Sequence, residues 1–268
     1  MFKTLIYIII LLIYYSSIYE IVTIIFKLCK KGYLIMLREE KLKIGSFRIY
    51  QDTEQFLYGT DAVVLSDFIK LKKNDIVVEF GTGNLIIPIL LCAKNKRFKK
   101  LYALEVQRCA YDLAVINRDL NALNEKIEVL NADLKDALKI FGSEFADVVF
   151  TNPPYRKINT GTVNPNFSKA VARHEILCTI EDVIKSAMQV LKFNGSFFMV
   201  YRSDRLTDAL FFLRQYKLEP KTIRFVHQNI EKDSSLVLIE AKKGKMCTLR
   251  VEKPLIVENM QYFIEDDE

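Results

Sequence analysis

The chain has 268 residues, half of them hydrophobic, which suffices for one large domain, or one domain with appendages, around a full core. Its net charge of +6 is a moderate basic excess that fits a polyanionic partner without requiring one. Five scattered cysteines with no CxxC spacing and only two histidines, His174 and His227, argue against a disulfide framework or a zinc site. No metal is expected, and a reducing cytoplasm is the default.

Residues 1–35 stand apart from the rest. TLIYIIILLIYYSSIY, residues 4–19, is apolar and free of charge; Glu20 interrupts it, IVTIIF follows, and Lys27, Lys30 and Lys31 come next. Taken literally this is a membrane helix, since roughly 20 apolar residues span a bilayer. The basic cluster after it would then keep the remaining chain in the cytoplasm. No small-residue cleavage site follows the run, so a signal peptide fits less well. The favoured reading is different. The segment is built largely of residues with A/T-rich codons, and Met36 opens a stretch of another kind, LREEKLKIGSFRIYQ. Residues 1–35 then read as upstream DNA in frame, with a start at Met36, and a membrane is involved only if they are translated. A packed helix is the third reading.

Residues 36–72 read as an N-terminal cap, 73–245 as the main domain, and 246–268 as an edge strand with a solvated acidic tail. In the main domain strand and helix patterns alternate. DIVVEF (75–80) is a short β-branched strand; LIIPILLCAKN (85–95) is a buried helix with Pro88 in its first turn, where proline is tolerated. KKLYALEV (99–106) is a strand, and CAYDLAVINRDLNAL (109–123) has helical periodicity. IEVLNAD (127–133) is a strand, LKDALKIFG (134–142) a short helix closed by Gly142, and ADVVFTN (146–152) a strand. IEDVIKSAMQVLKFNG (180–195) reads as a helix ended by Asn194-Gly195. SFFMVY (196–201) is a strand, RLTDALFFLRQY (205–216) a helix, and TIRFVH (222–227) and SSLVLIEAKK (234–243) are the last strands. The pattern implies an α/β, Rossmann-like, mostly parallel sheet of seven strands with helices on both faces. Only QNIEKDS separates the last two strands, too little for a helical crossover, so they form an antiparallel hairpin.

Ligands of doubly wound sheets sit beyond the carboxyl ends of the strands. The first strand ends VVEFGTGN. Gly81 and Gly83 allow a tight turn and close backbone approach, and a helix N-terminus follows. The third glycine of a dinucleotide fingerprint is missing, and the carboxylate of Glu79 disfavours phosphate but suits a cationic ligand. An ordinary strand-to-helix turn is the bland alternative. After the second strand, Glu105 is placed to accept the two hydroxyls of a ribose. After the third, Asp133 could accept from an adenine amino group and Ala132 offer a backbone N–H; an N-cap aspartate explains Asp133 equally well.

The fourth strand ends TNPPY, where two consecutive prolines must stop a ladder. An exocyclic amine on a base is a poor nucleophile, because its lone pair is delocalised into the ring. The side-chain carbonyl of Asn152 and the main-chain carbonyl of Pro153 can each accept one of its hydrogens, favouring the pyramidal geometry of attack and fixing the nitrogen in line with a methyl donor. Pro154 stiffens the loop with Pro153, and Tyr155 offers a face for a flipped base, worth about 1–3 kcal/mol. The following loop, residues 156–175, is long and polar. Its Arg156, Lys157, Lys169 and Arg173 could contact phosphates, and His174 could stack on RNA or order the loop; a solvated basic face is the alternative. His227, ending an apolar strand, reads as structural.

FLYGTDAVVLSDF, VVEFGTGN, ALEVQ, NADLKD, FTNPPYRK, AVARHE and SSLVLIEAKKG together resemble the class I S-adenosylmethionine-dependent methyltransferases with an NPPY amino-methylating signature. More narrowly, the chain is similar to the bacterial tRNA1(Val) adenine-37 N6-methyltransferases, over about residues 59–243. The resemblance implies S-adenosylmethionine as cofactor and a nucleic acid, tRNA above all, as partner, with no obligate protein partner evident. It places Glu79, Phe80, Gly81, Thr82 and Gly83 at the methionine end of the cofactor, Glu105 on its ribose, and Ala132 and Asp133 at its adenine. Gly59 and Asp61 would belong to a segment closing over the cofactor, and Asn152, Pro153, Pro154 and Tyr155 would grip the target amine. Glu79 stands where that family more often has aspartate.

Rival readings remain. A glutamine N5-methyltransferase of release factors shares the NPPY chemistry but needs a helical substrate domain ahead of the first strand. A DNA amino-methyltransferase needs a sizeable target-recognition region, rRNA is another acceptor, and a small-molecule methyltransferase usually lacks NPPY. A membrane-tethered module with a relic cofactor pocket rests on the leader alone.

Overall fold

The computed structural model describes residues 37–52, 59–154, 178–244, 246 and 248–259. The leader, residues 1–35, and the tail from residue 260 lie outside them. Among the described residues no helix is long and apolar enough to cross a membrane.

A hairpin comes first, β1 (Leu37–Lys41) paired antiparallel with β2 (Arg48–Asp52). Helix α1 (Thr60–Phe68) follows, within the stretch read as the N-terminal cap. The main sheet holds β3 (Ile76–Phe80), β4 (Lys100–Leu104), β5 (Ile127–Leu130), β6 (Ala146–Thr151), β7 (Leu191–Arg202), β8 (Leu218–His227) and β9 (Leu236–Lys243). Their spatial order is β5-β4-β3-β6-β7-β9-β8. The pairs from β5 to β7 are parallel, and β9 runs antiparallel to both β7 and β8. These are the seven strands and the C-terminal hairpin that the alternation implied. Two short strands, β10 (Arg250–Val251) and β11 (Leu255–Ile256), run parallel to β8 along the outer edge.

Successive strand residues feed opposite faces of the sheet, so each buried strand supplies two cores. Val77, Val148, Phe150, Phe198 and Val200 pack into one core; α1 and α2 (Ile86–Ala93) cover it. Val78, Phe80, Val149, Phe197 and Met199 pack into the other, under α5 (Ile180–Val190) and α6 (Leu206–Gln215). Every residue of α2 is buried, as its unbroken apolar sequence requires. Between them lie α3 (Arg108–Leu120), after β4, and α4 (Ala137–Phe141), before β6.

One boundary differs from expectation. Helix α5 starts at a capping box, Thr179 with Asp182, but stops at Val190 rather than at Asn194-Gly195. Leu191 is already paired with Ala146, and the register shifts between Ala146 and Val148. Asn194 takes a positive φ of 63° in this irregularity. LKFNG continues the apolar period of the helix, but pairing with β6 and the Lys192–Asp147 ion pair at 2.8 Å draw it into the sheet.

Candidate active site

The strand order reverses between β3 and β6. From β3 the chain moves outward through β4 to β5, then returns to place β6 on the other side. A crevice opens there, at the carboxyl ends of the parallel strands. Its wall includes Phe80 to Asn84 after β3, Glu105 after β4, Ala132 and Asp133 after β5, and Thr151 to Pro154 at the end of β6.

Gly81 and Gly83 have φ of 70° and 59°, conformations that disfavour side chains. A Cβ at either would meet nothing within 4 Å, so both open onto the crevice. The amides of Gly81 and Thr82 donate to the Leu104 carbonyl at 2.9 and 3.0 Å, binding this turn to the end of β4. Glu105 is buried on the wall, and its two carboxylate oxygens accept from the amides of Gly83 and Gln107, each at 2.9 Å. Burial raises the Glu105 carboxyl, opposed by the amides of Gln107, Gly83 and Val106.

Glu79 is 1% exposed and is set behind the crevice wall. Alternation along β3 sends it toward the α1–α2 layer, and the Thr82 hydroxyl donates to it from the crevice side. Burial pushes its carboxyl up to about 8; the Thr82 hydroxyl pulls it back and the nearby Glu105 charge adds to the rise. Glu79 therefore braces the glycine turn from behind through Thr82. Asp133 does line the crevice, and it also caps the short helical turn Leu134–Asp136 by accepting from the Lys135 amide at 2.9 Å. The N-cap reading of that residue is met, and the same residue stands on the crevice wall.

At the end of β6, the Thr151 hydroxyl donates to the Phe80 carbonyl at 2.9 Å, which locks the start of NPPY to the start of the glycine turn. Asn152, Pro153 and Pro154 face the crevice. Asn152 donates through Nδ2 to Asp61 Oδ2 at 3.0 Å, and Asp61 also lines the crevice. Gly59 is off the wall and packs against the Asp61 carboxylate. Tyr155, Arg156, Lys157, Lys169, Arg173 and His174 lie outside the described residues. His227 is remote from the crevice wall; its Nδ1 is 2.8 Å from the Lys232 carbonyl, a loop contact.

Residues 58–216 match the methyltransferase small domain family over more than half of the chain. The chain belongs to that family. Curated relatives of this methyltransferase include two named tRNA1(Val) (adenine(37)-N6)-methyltransferase. The one from Bacteroides thetaiotaomicron is 26% identical over 158 residues, 59% of this chain and 65% of the relative. The one from Histophilus somni is 23% identical over 69% of this chain and 80% of the relative. The match thus spans just under two thirds of the first relative's length. Among solved structures, a crystal structure described as a predicted O-methyltransferase from Agrobacterium tumefaciens aligns with a TM-score of 0.61 at 19% identity. It covers 76% of this chain and 91% of that one, a likeness of fold.

The methyl donor of this enzyme class is S-adenosylmethionine, and the residues present fit it. The donor carries a cationic sulfonium and an ammonium group. Asp52, Asp61, Glu105 and Asp133 give the crevice an acidic wall, while Ile86, Leu113 and Val183 supply apolar surface. The open faces of Gly81 and Gly83 form a cradle that any side chain would fill. Sequence reasoning missed Asp52 and Cys178 on this wall. Asp52 ends the strand-like run FRIYQD, and an acid closing a strand was the available signal; Cys178 carried none.

Proposed function

We propose that this methyltransferase uses S-adenosylmethionine to methylate N6 of an adenine in RNA, with the anticodon region of a tRNA as its natural acceptor. The observation that carries the reading is the meeting of two strand ends: Asn152-Pro153-Pro154 after β6 and Gly81-Thr82-Gly83 after β3 line one crevice. The names of the curated relatives support the tRNA and the adenine.

When bound, S-adenosylmethionine supplies an electrophilic methyl group on a positively charged sulfur. The chain's residues do the rest. The glycine turn lets the backbone approach the ligand. Glu105 keeps acceptor capacity for a ribose hydroxyl beside the amides that it accepts. The Asn152 side-chain carbonyl and the Pro153 carbonyl accept the two hydrogens of the target amine, so its lone pair is turned toward the methyl carbon. The amine nitrogen would take the methyl group from the cofactor held by the glycine turn and Glu105, and would give up one proton to water. The paired prolines hold the two carbonyls in place without conformational search. Tyr155 and the basic loop after it are assigned to the base and the phosphates.

The test is acceptor choice. The full chain is incubated with methyl-labelled S-adenosylmethionine and unmodified tRNA, rRNA, release factor or duplex DNA. Labelled N6-methyladenosine from digested tRNA is expected. Label found in release factor alone would move the reading to glutamine.

A further inference from the structure

Asn152 and Asp61 are far apart in sequence and meet at the crevice. Asp61 stands in the first turn of α1 and is 8% exposed. Its Oδ2 accepts from Asn152 Nδ2 at 3.0 Å, and its Oδ1 accepts from the Ala62 amide at 2.9 Å. Gly59 leaves room for the same carboxylate: a Cβ there would stand 3.0 Å from Asp61 Oδ1. The carboxylate is therefore held by a backbone amide on one oxygen and by the Asn152 amide on the other.

A primary amide has a donor end and an acceptor end, and a half-turn about its last bond exchanges them. Only one end is useful for gripping an amine, the carbonyl. A carboxylate can accept but not donate, so it tolerates the amide in one orientation, with nitrogen toward Asp61 and oxygen on the opposite edge. We propose that Asp61 is a positioning residue: it fixes the Asn152 amide so that Oδ1 is presented to the target amine. The inference rests on the amino-methylating reading above, and it gives Asp61 a role other than contact with the cofactor. Without Asp61 that constraint on the amide is lost, and in the flipped orientation its NH2 would oppose the N–H of the amine.

The test exchanges the two groups. Asp61→Asn, Asn152→Asp and the double variant are made in the full chain. Turnover is measured with S-adenosylmethionine and unmodified tRNA, cofactor affinity by calorimetry, and melting temperature in the absence of acceptor. Asp61→Asn leaves a side chain that no longer dictates the orientation at 152, so kcat falls by about 10- to 100-fold, a larger loss than that in cofactor affinity. Asn152→Asp puts two carboxylates face to face; kcat and melting temperature both fall, and the loss deepens as pH rises. In the double variant the donor sits at 61 and an acceptor at 152, so the hydrogen bond re-forms with reversed polarity. Turnover and melting temperature then recover well above those of Asn152→Asp alone, a rescue that mere space filling would not give.

A double variant no better than Asn152→Asp in both readouts overturns the proposal. So does an Asp61→Asn variant with wild-type kcat and weakened cofactor affinity, which returns Asp61 to the cofactor. Failure of the substrate reading shows separately, as a wild-type chain that leaves tRNA unlabelled. The cycle is then read on the acceptor that it does label, and in melting temperature where it labels none.

Discussion

Glu79 and Glu240 are both nearly inaccessible, yet their surroundings act on them in opposite senses. At Glu79 burial dominates and raises the carboxyl from 4.5 to about 8. The folded chain then binds a proton that the unfolded chain has lost, so stability falls as pH climbs through that window. The steepest slope is about 1.4 kcal/mol per pH unit from this one group. Glu79→Gln keeps the partner for Thr82 and removes the charge. Urea denaturation at a series of pH values should show the variant gaining on the wild type between pH 4.5 and 8, with little difference below. At Glu240 burial also pushes upward, but Lys221 at 3.1 Å and Lys70 at 3.2 Å outweigh it and hold the carboxyl below its usual value. The sign reverses: that contribution is present above the unfolded pKa of 4.5 and is lost as pH falls through the folded one. Both lysine side chains are about half exposed, so solvent weakens the pairs and Glu240→Gln should cost about 1–2 kcal/mol at neutral pH. The same denaturation series should show that cost shrinking toward low pH.

Among the described residues the β1–β2 hairpin has no strand partner in the main sheet, and side chains of α3 and of Asn121 at its end hold it. Asn117, 0% exposed, accepts from the Tyr50 amide at 2.7 Å and donates to the carbonyls of Tyr50 and Asn84, each at 2.9 Å. Asn121 repeats the arrangement one turn later with the amide and carbonyl of Arg48, at 2.9 and 2.7 Å. One face of a helix thus substitutes for a neighbouring strand. It ties the hairpin, and with it Asp52, to the glycine turn that carries Asn84. Asn117→Ala would take one hydrogen-bond partner from each of three backbone groups, at a cost of about 2–4 kcal/mol. Asn117→Asp would keep the acceptor but set a carboxylate against two carbonyls, and it should be no milder. Denaturant midpoints would rank the two. A loss under about 0.5 kcal/mol for both would mean that the hairpin is held by its apolar face, Ile49 and its neighbours, alone.

At the scale of the whole molecule, the two ends of the crevice are separable. Glu105 belongs to the β3–β4 side, where the glycine turn closes, and Asn152 to the β6 side, where the acceptor would enter. Glu105→Ala removes the acceptor of the Gly83 and Gln107 amides as well as the carboxylate proposed for the ribose. Cofactor affinity should fall by about 10-fold or more, each 1.4 kcal/mol being a factor of ten. Asn152→Ala should leave cofactor affinity nearly intact and lower single-turnover methylation by about 100- to 1,000-fold. Calorimetry and rapid-quench kinetics on the two variants would show the split. Near-normal single turnover in Asn152→Ala would remove that side chain from the grip.

The order of elements was legible because it is local. VVEF, LYAL and DVVF each pair β-branched or aromatic runs with a glycine, acid or proline stop, and the short QNIEKDS link dictates an antiparallel hairpin. The strand ends that face the crevice follow from that order alone. Orientation within the crevice did not follow. Glu79 and Glu105 look alike in the sequence, as acids beside a strand end, but Glu79 is still within β3 and alternation sends it into a layer, whereas Glu105 has left β4 and faces the crevice. The helix limit at Val190 was hidden because a sheet partner outside the segment decides it. The Asp61–Asn152 pair could not be read at all. A hydrogen bond across such a span of chain has no local signal, and only the docking of α1 beside the end of β6 brings donor to acceptor.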